Sequence, residues 1–401
     1  MERQSVIAEV DPAFREDVLK GLGMKPRAIP ARWLYDRRGS ELFETITALP
    51  EYYPTRTERS ILSYAVGEIA VLIGPKRAVV EFGSGSSTKT PILLSEVSPA
   101  AYVPIDISAE FLRESVAALS IAFPDLPIFP IEGDFTGMLG LPEAIDGMAH
   151  LGFFPGSTIG NLLVSDAVDL LRVMAATLGA GSMLLIGIDR IKDANILLPA
   201  YDDAQGVTAA FNLNLLHRIN RELSGTVPVD AFSHVVRWND VEARIEMHLM
   251  AVRDVHFSVD GRIFSMAGGE TIHTENSVKY DGLGARVLLR AGGWTPIADW
   301  TDQRKFFSLI LAKAGIATSS ASYQANNRAK SWRPPTAPAA CRLYLDMNGS
   351  SEGLIGRKCN RDLSLVTNGC NIERVLSLQK GSNKGQSHES ADCYHIPRPT
   401  R

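Results

Sequence analysis

The chain has 401 residues, 45% of them apolar and 21% charged, and a formal net charge of −4. That length holds one large domain with an elaboration, or two domains. The mild negative charge argues against a nucleic-acid binder, which ordinarily shows a basic face, and no apolar run approaches the roughly 20 residues of a membrane helix. The first residues, MERQSVIAEVDPAF, carry acids and lack the continuous apolar core of a secretory signal, so a cytoplasmic protein is expected.

Residues 1–65 read as a helical segment: FREDVLKGL, then SELFETI, then a helix from Thr57 with Ile61, Leu62 and Ala65 at helical spacing. Pro50 and Pro54 bracket a turn that holds Tyr52 and Tyr53. From Val79 onward strands and helices alternate. Strand candidates are 78–82, 101–105, 127–131, 151–154 and 183–188, with helices such as Ala109 to Ala122 and Ser165 to Ala176 between them. Such alternation predicts an α/β protein, a doubly wound and mostly parallel sheet over 66–190 that binds ligands at the carboxyl ends of its strands.

After Asp189 the rhythm changes. A helix in GVTAAFNLNLLHRINREL precedes HVVRW, ARIEMHLMAV, VHFSVDG and the run Thr274 to Tyr280, which read as antiparallel strands. They predict an inserted α+β subdomain over 191–282, beside the strand ends, where a substrate pocket belongs. A helix near Gly282 to Ala291 and the strand KFFSLILAKA return to the main sheet over 283–316. The remainder, 317–401, is rich in Ser, Asn, Gly and Pro, and carries twelve Lys or Arg against six Asp or Glu, leaving 29 against 39 in the rest. Without a sustained period it is expected to lack a packed core, either as a plain extension or as a basic interaction arm. Cys341, Cys359, Cys370 and Cys393 all fall there with no Cys-x-x-Cys pair, and none of the eight histidines forms His-x-x-x-His. No metal site is expected.

The stretch VVEFGSGSSTKT, residues 79–90, passes from a buried strand through a glycine turn into a helix start. Gly83 and Gly85 allow positive φ and the close approach of a ligand to bare backbone, and the N–H groups that follow suit a phosphate, a carboxylate or a ribose. Three ligand classes compete. A dinucleotide wants a third glycine where Thr88 stands. A phosphate-binding loop wants glycine before Lys-Thr, and here Thr88 precedes Lys89 and Thr90, although Met183 to Ile188 followed by Asp189 could serve as its metal-binding strand end. S-adenosylmethionine needs one close glycine turn and an acid ending the next strand, and Asp106 closes AYVPID.

Several blocks together carry a resemblance: LYDRRGSELFE (34–44), LPEYYPTRTE (49–58), EFGSGSSTKT (81–90), GDF (133–135), GSTIGN (156–161), AYDDAQGVTAAFN (200–212), RIEMHL (244–249), TENSVKY (274–280) and WTD (300–302). Over residues 10 to 315 the sequence resembles the S-adenosylmethionine-dependent L-histidine Nα-methyltransferases of ergothioneine biosynthesis. The resemblance implies a class I methyltransferase-like fold. It also implies that Gly83 approaches the donor's amino-acid part, Lys89 its carboxylate, Asp106 the ribose hydroxyls, and Asp134 and Phe135 the adenine. For the acceptor it places Asn161 and Tyr201 at the carboxylate and Glu275 with Ser277 at the imidazole, with Met247 as an apolar wall and Tyr52 as a further contact.

The residue chemistry agrees with part of this. Residues two apart on a strand share a face, so Glu275 and Ser277 can together offer an acceptor and a hydroxyl to an imidazole. Methyl transfer requires a neutral amine aligned with the methyl–sulfur bond. A free α-amine, with a pKa of about 8 to 9, is partly neutral near pH 7 to 8 without a strong base, and Tyr35 is the candidate for orienting it. The implied reaction is three transfers to L-histidine, giving hercynine, with no nucleic-acid, membrane or obligate protein partner. The alternatives are a relative acting on another amino acid, a P-loop-like ATP-binding protein, and a non-catalytic donor-binding scaffold.

Overall fold

The computed structural model describes residues 10–85 and 88–315. The tail at 317–401 with its four cysteines, and Ser86 and Ser87 of the glycine turn, lie outside the described residues. Three helices lead: α1 (Pro12–Gly23), α2 (Arg37–Thr47) and α3 (Tyr53–Ile73), with a two-residue strand β1 (Arg27–Ala28) after the first. Asp11 caps α1 by accepting from Ala13 N and Phe14 N, and Asp36 caps α2 by accepting from Gly39 N. Pro54 occupies the first turn of α3, where its missing N–H costs nothing. This third helix continues past residue 65, and Ile61, Leu62, Ala65, Val66, Ile69 and Ile73 bury themselves in the core on one side of the main sheet.

Next come β2 (Ala78–Phe82), α4 (Thr90–Val97), β3 (Ala101–Asp106), α5 (Ala109–Ala122), β4 (Ile131–Glu132), β5 (His150–Phe154), α6 (Val164–Leu178), β6 (Met183–Asp189), the short α7 (Ala194–Leu197) and α8 (Val207–Glu222). The chain then forms β7 (Phe232–Asn239), β8 (Arg244–Ala251), β9 (Val255–Val259), β10 (Arg262–Met266), β11 (Thr271–Val278), α9 (Gly282–Ala291), β12 (Trp294–Thr301) and β13 (Phe307–Ala314). Among the described residues the main sheet has seven strands in the order β12-β13-β6-β5-β2-β3-β4. Strands β2 to β6 are parallel, and β13 enters antiparallel between β6 and β12.

Every residue of β2 and β6 is buried, as expected of parallel strands covered on both faces. Burial pushes Glu81 of β2 up to about 7, against the hydrogen bonds it accepts from Tyr102 and Thr90. The expected strand 127–131 shrinks to Ile131–Glu132 plus a bridge between Tyr102 and Ile128. Pro127 and Pro130 remove the donors that a longer ladder needs.

The insertion folds as a second sheet, β1-β11-β8-β7, with β9 and β10 as a separate hairpin. Because β1 pairs parallel with β11, the N-terminal segment is stitched into it. Phe14, Val18 and Leu34 share one core with Phe211, Leu215, Met247 and Ile272. The β11·β8 ladder carries a bulge between His273 and Glu275. Its extra residue, Thr274, sits with Oγ1 2.7 Å from Asn212 Oδ1 and 3.1 Å from the Met247 carbonyl.

Candidate active site

The glycine bend forms where β2 ends. Gly83 and Gly85 have φ of 72° and 48°, a region that favours glycine. The N–H groups of Gly83 and Ser84 donate to Ile105 O at 2.8 and 3.1 Å, which ties the bend to β3. Asp106, the last residue of β3, accepts from Gly85 N at 2.8 Å and from Ser108 N at 2.9 Å. Phe135 packs edge-on against Phe82 and Phe154, and a Cβ added at Gly83 would lie 3.3 Å from its ring. The structure thus gathers Gly83, Asp106 and Phe135 at the end of β2, with the Phe135 ring lying against residue 83 where a side chain would stand.

Asp134 is already engaged. It accepts from Thr136 N and Oγ1 at 2.9 and 2.6 Å and from Arg32 at 2.8 Å. Burial works to raise its pKa, but the Thr136 donors and the Arg32 guanidinium outweigh it and hold the carboxyl below its usual value. Arg32 also reaches Asp17 of α1 at 2.7 Å, so the loop before α2 braces this acid.

Lys89 has a carboxylate partner within the protein. It precedes α4, where a cation opposes the helix dipole, and the carboxylate it pairs with is that of Glu58 on α3. Glu58 is fully buried and also accepts from Gly156 N at 2.9 and 3.1 Å. Gly187 of β6 makes room for it, since a Cβ there would lie 2.0 Å from Glu58 Oε1. Any ligand carboxylate at Lys89 has to share the ammonium with Glu58.

The acceptor residues converge on the inward face of β11. Glu275 is buried, and its Oε1 accepts from Tyr35 at 3.2 Å and from Asn161 at 3.1 Å. Met247 stands opposite it on β8. Tyr201 and Ser277 are hydrogen-bonded to each other at 2.7 Å, and the Tyr52 ring meets the Tyr201 ring edge-on at 6.2 Å. Asn161 and Tyr201, expected at the substrate carboxylate, each hydrogen-bond a residue expected at the imidazole: Asn161 donates to Glu275, and Tyr201 pairs with Ser277. Burial pushes the Glu275 carboxyl up to about 7, and burial reinforced by neighbouring ionisable groups holds the Tyr35, Tyr52 and Tyr201 hydroxyls well above the ordinary phenol range. These tyrosines stay neutral.

Asn161 ends a short helical turn, Thr158–Asn161, that lies directly on β11. A Cβ on Gly160 would sit 2.8 Å from Val278 O and 3.2 Å from Val278 N. Gly160→Ala is expected to separate the turn from the strand and to cost about 1–3 kcal/mol of stability, as overpacking does. Urea unfolding measures it, and an unchanged midpoint would mean that the contact is slack.

Sequence reasoning passed over a buried polar group behind Tyr201 and Ser277. Lys279 donates to both, at 2.7 and 2.8 Å, and pairs with Asp189 at 2.6 Å. Asp189 also pairs with Lys192 at 2.6 Å and accepts from Tyr53 at 2.7 Å. Burial would raise the Asp189 carboxyl, but Lys279 and Lys192 hold it below its usual value; burial lowers Lys192 to about 8. The signal was present in TENSVKY, where Lys279 follows Glu275 and Ser277 at the same two-residue step. Among the described residues no group of three or more His, Cys, Asp or Glu is arranged to hold a metal.

The strand order, with its antiparallel strand next to the edge, and the glycine bend beside an acid-tipped neighbouring strand define an α/β protein of the class I methyltransferase type. A family profile described as histidine-specific, SAM-dependent methyltransferase matches residues 14–314. The chain is 42% identical over 306 residues to a histidine N-alpha-methyltransferase of Mycolicibacterium smegmatis, an alignment covering 75% of this chain and 94% of that protein. It is 41% identical over 311 residues to a histidine N-alpha-methyltransferase of Mycobacterium tuberculosis, covering the same shares, 75% and 94%. Ergothioneine biosynthesis protein 1 of Neurospora crassa is 30% identical over 307 residues, which are 73% of this chain and 34% of that longer protein. The chain belongs to the histidine-specific, S-adenosylmethionine-dependent methyltransferase family.

Proposed function

We propose that the protein transfers methyl groups from S-adenosylmethionine to the α-amine of L-histidine, three times in succession, giving hercynine for ergothioneine biosynthesis. One observation carries the choice of substrate: a buried carboxylate, Glu275, braced by Tyr35 and Asn161 and followed two residues later by the Ser277 hydroxyl. An aliphatic or aromatic hydrocarbon side chain offers Glu275 no donor beyond Tyr35 and Asn161, whereas an imidazole N–H adds one.

The donor suits the bend between β2 and β3. The bare backbone at Gly83, the Asp106 carboxylate at the end of the next strand and the Phe135 ring suit a flat nucleoside with a diol. In this reading Gly83 and Lys89 take the amino-acid part of the donor, Asp106 the ribose hydroxyls, and Asp134 with Phe135 the adenine. The bound donor supplies an electrophilic methyl group on a sulfonium. Everything else is placement by this chain. Tyr35 spends its one hydroxyl proton on Glu275, so in the first two transfers its oxygen can accept an N–H from the substrate amine and turn the lone pair toward the donor; the dimethylated amine of the third has no N–H and is placed by the pocket alone. Because Tyr35 is held as a neutral phenol it orients and does not deprotonate, and the nitrogen loses one proton to water before each of the three transfers. Met247 walls the ring, and Tyr52 closes the aromatic side.

Purified protein incubated with S-adenosylmethionine and each of the twenty amino acids separately is expected to give three methyl additions on histidine by mass spectrometry. No mass gain on histidine overturns the reading. A gain on another amino acid in its place keeps the methyltransferase and changes its substrate.

A further inference from the structure

The residue that bulges from β11 ends a line of hydrogen bonds that reaches the acceptor pocket from its other side. Asn212 of α8 is fully buried and touches three partners: the Thr274 hydroxyl at 2.7 Å, His234 Nδ1 of β7 at 2.9 Å and the His248 carbonyl at 3.2 Å. His234 Nε2 in turn lies 2.9 Å from the Tyr201 carbonyl. The two carbonyls fix the direction of every bond in the line. His248 O can only accept, so it takes an N–H from Asn212 Nδ2, and Asn212 Oδ1 is left to accept the one Thr274 proton. Read from the other end, Tyr201 O takes the Nε2 proton of His234, and the bare Nδ1 of the neutral ring accepts the second Nδ2 proton. Burial lowers His234 against the pull of the Tyr201 carbonyl and the Asp202 and Asp203 carboxylates, which keeps that ring neutral. The two directions agree, and both amide protons of Asn212 are used.

A bulge interrupts its ladder locally. Here the carbonyls of Met247 and His248, the β8 residues opposite Glu275 and His273, are contacted by Thr274 Oγ1 and Asn212 Nδ2. The line therefore joins the residue that immediately precedes Glu275 to the main chain of Tyr201. We propose that Asn212 is a positioning residue that, through Thr274 at one end and His234 at the other, sets the spacing between Glu275 and Tyr201. The proposal rests on the methyltransferase reading above and deepens it: acceptor binding depends on three side chains that touch no reacting atom and act only through the two that line the pocket.

The test measures KM and kcat for L-histidine, with calorimetric affinity for S-adenosylhomocysteine as the donor-site probe, in the wild type, Thr274→Val, Thr274→Ser, His234→Phe and the double variant Thr274→Val/His234→Phe. Thr274→Val keeps the shape and removes the proton, so the KM is expected to rise about tenfold, with kcat within about threefold and donor-site affinity within about twofold. Thr274→Ser keeps the hydroxyl and stays within about threefold of the wild-type KM. His234→Phe frees the Tyr201 carbonyl and raises the KM about fivefold or more. Because both ends act through Asn212, the increase in the double variant falls about threefold or more short of the product of the single increases. Absence of wild-type turnover on histidine overturns the underlying reading and the proposal with it. Given wild-type turnover, a Thr274→Val KM at the wild-type value, a Thr274→Ser KM as high as that of Thr274→Val, or simple multiplication of the two single effects overturns the proposal alone. Equal loss of histidine and donor-site affinity in the single variants assigns the line to the fold and equally ends it.

Discussion

Glu275→Ala is expected to raise the KM for L-histidine about a hundredfold while leaving donor affinity within about twofold. The side chain is buried and accepts from two neutral donors, Tyr35 and Asn161, which lose their partner when it is removed. A hydrogen bond to a charged group is worth about 1.5–3 kcal/mol, and a hundredfold change corresponds to about 2.7 kcal/mol. Isothermal calorimetry on donor and acceptor separately makes the check, and equal loss of both would make Glu275 a structural residue. Acidity gives a second readout, because burial pushes this carboxyl up to about 7. As pH falls through about 7 the acceptor for a ring N–H disappears, so kcat/KM for histidine drops there in the wild type. Glu275→Gln loses that inflection. The sign for stability runs the other way: a carboxyl raised in the folded state contributes stability below its unfolded value of 4.5, lost as pH rises through about 7. Glu275→Gln should therefore melt higher than the wild type at pH 8 and not at pH 4.5.

Glu58→Ala is expected to cost about 3–5 kcal/mol of stability, the range for removing one partner of a buried ion pair. Two groups lose their acceptor at once: Lys89, which is mostly buried itself, and the Gly156 N–H, which reaches both carboxylate oxygens. The hole that Gly187 keeps free for the carboxylate becomes a void as well. Denaturant unfolding followed by circular dichroism reads the loss. A change below about 1 kcal/mol would show that water replaces the carboxylate there without penalty. Since Glu58 also sets the position of Lys89, the same variant should weaken donor binding, in contrast to Glu275→Ala.

The main sheet was readable because its strands are buried on both faces and show as unbroken apolar runs; 78–82 matches β2 and 183–188 falls within β6. Edge and short strands were not. β12 holds Pro296 and a bulge, β1 is two residues long and takes its place only through pairing with β11, and neither has a period to detect. Among site residues, spacing alone linked Glu275 to Ser277, while the meeting of Tyr35, Asn161 and Glu275 depends on contacts between residues up to 240 positions apart. Glu58 was invisible for a different reason. In the sequence it is one acid on an amphipathic helix, and only the packing of α3 against the strand carrying Gly187 turns it inward.

One bulged residue decides which side chains of β11 share a face with Met247. Upstream of Thr274 the even-numbered Ile272 faces the core opposite Leu249; downstream, the odd-numbered Glu275 and Ser277 do, opposite Met247 and Ile245. Had Thr274 been paired in a regular ladder instead of bulging, the strand's parity would have sent Asn276 and Val278 inward and turned the carboxylate and hydroxyl to the opposite side. Recognition here is thus written in the pairing of the chain as well as in its letters. Excising residue 274 would straighten the strand while leaving Glu275 and Ser277 inward opposite Met247 and Ile245, at the cost of the Thr274 contacts to Asn212 and the Met247 carbonyl.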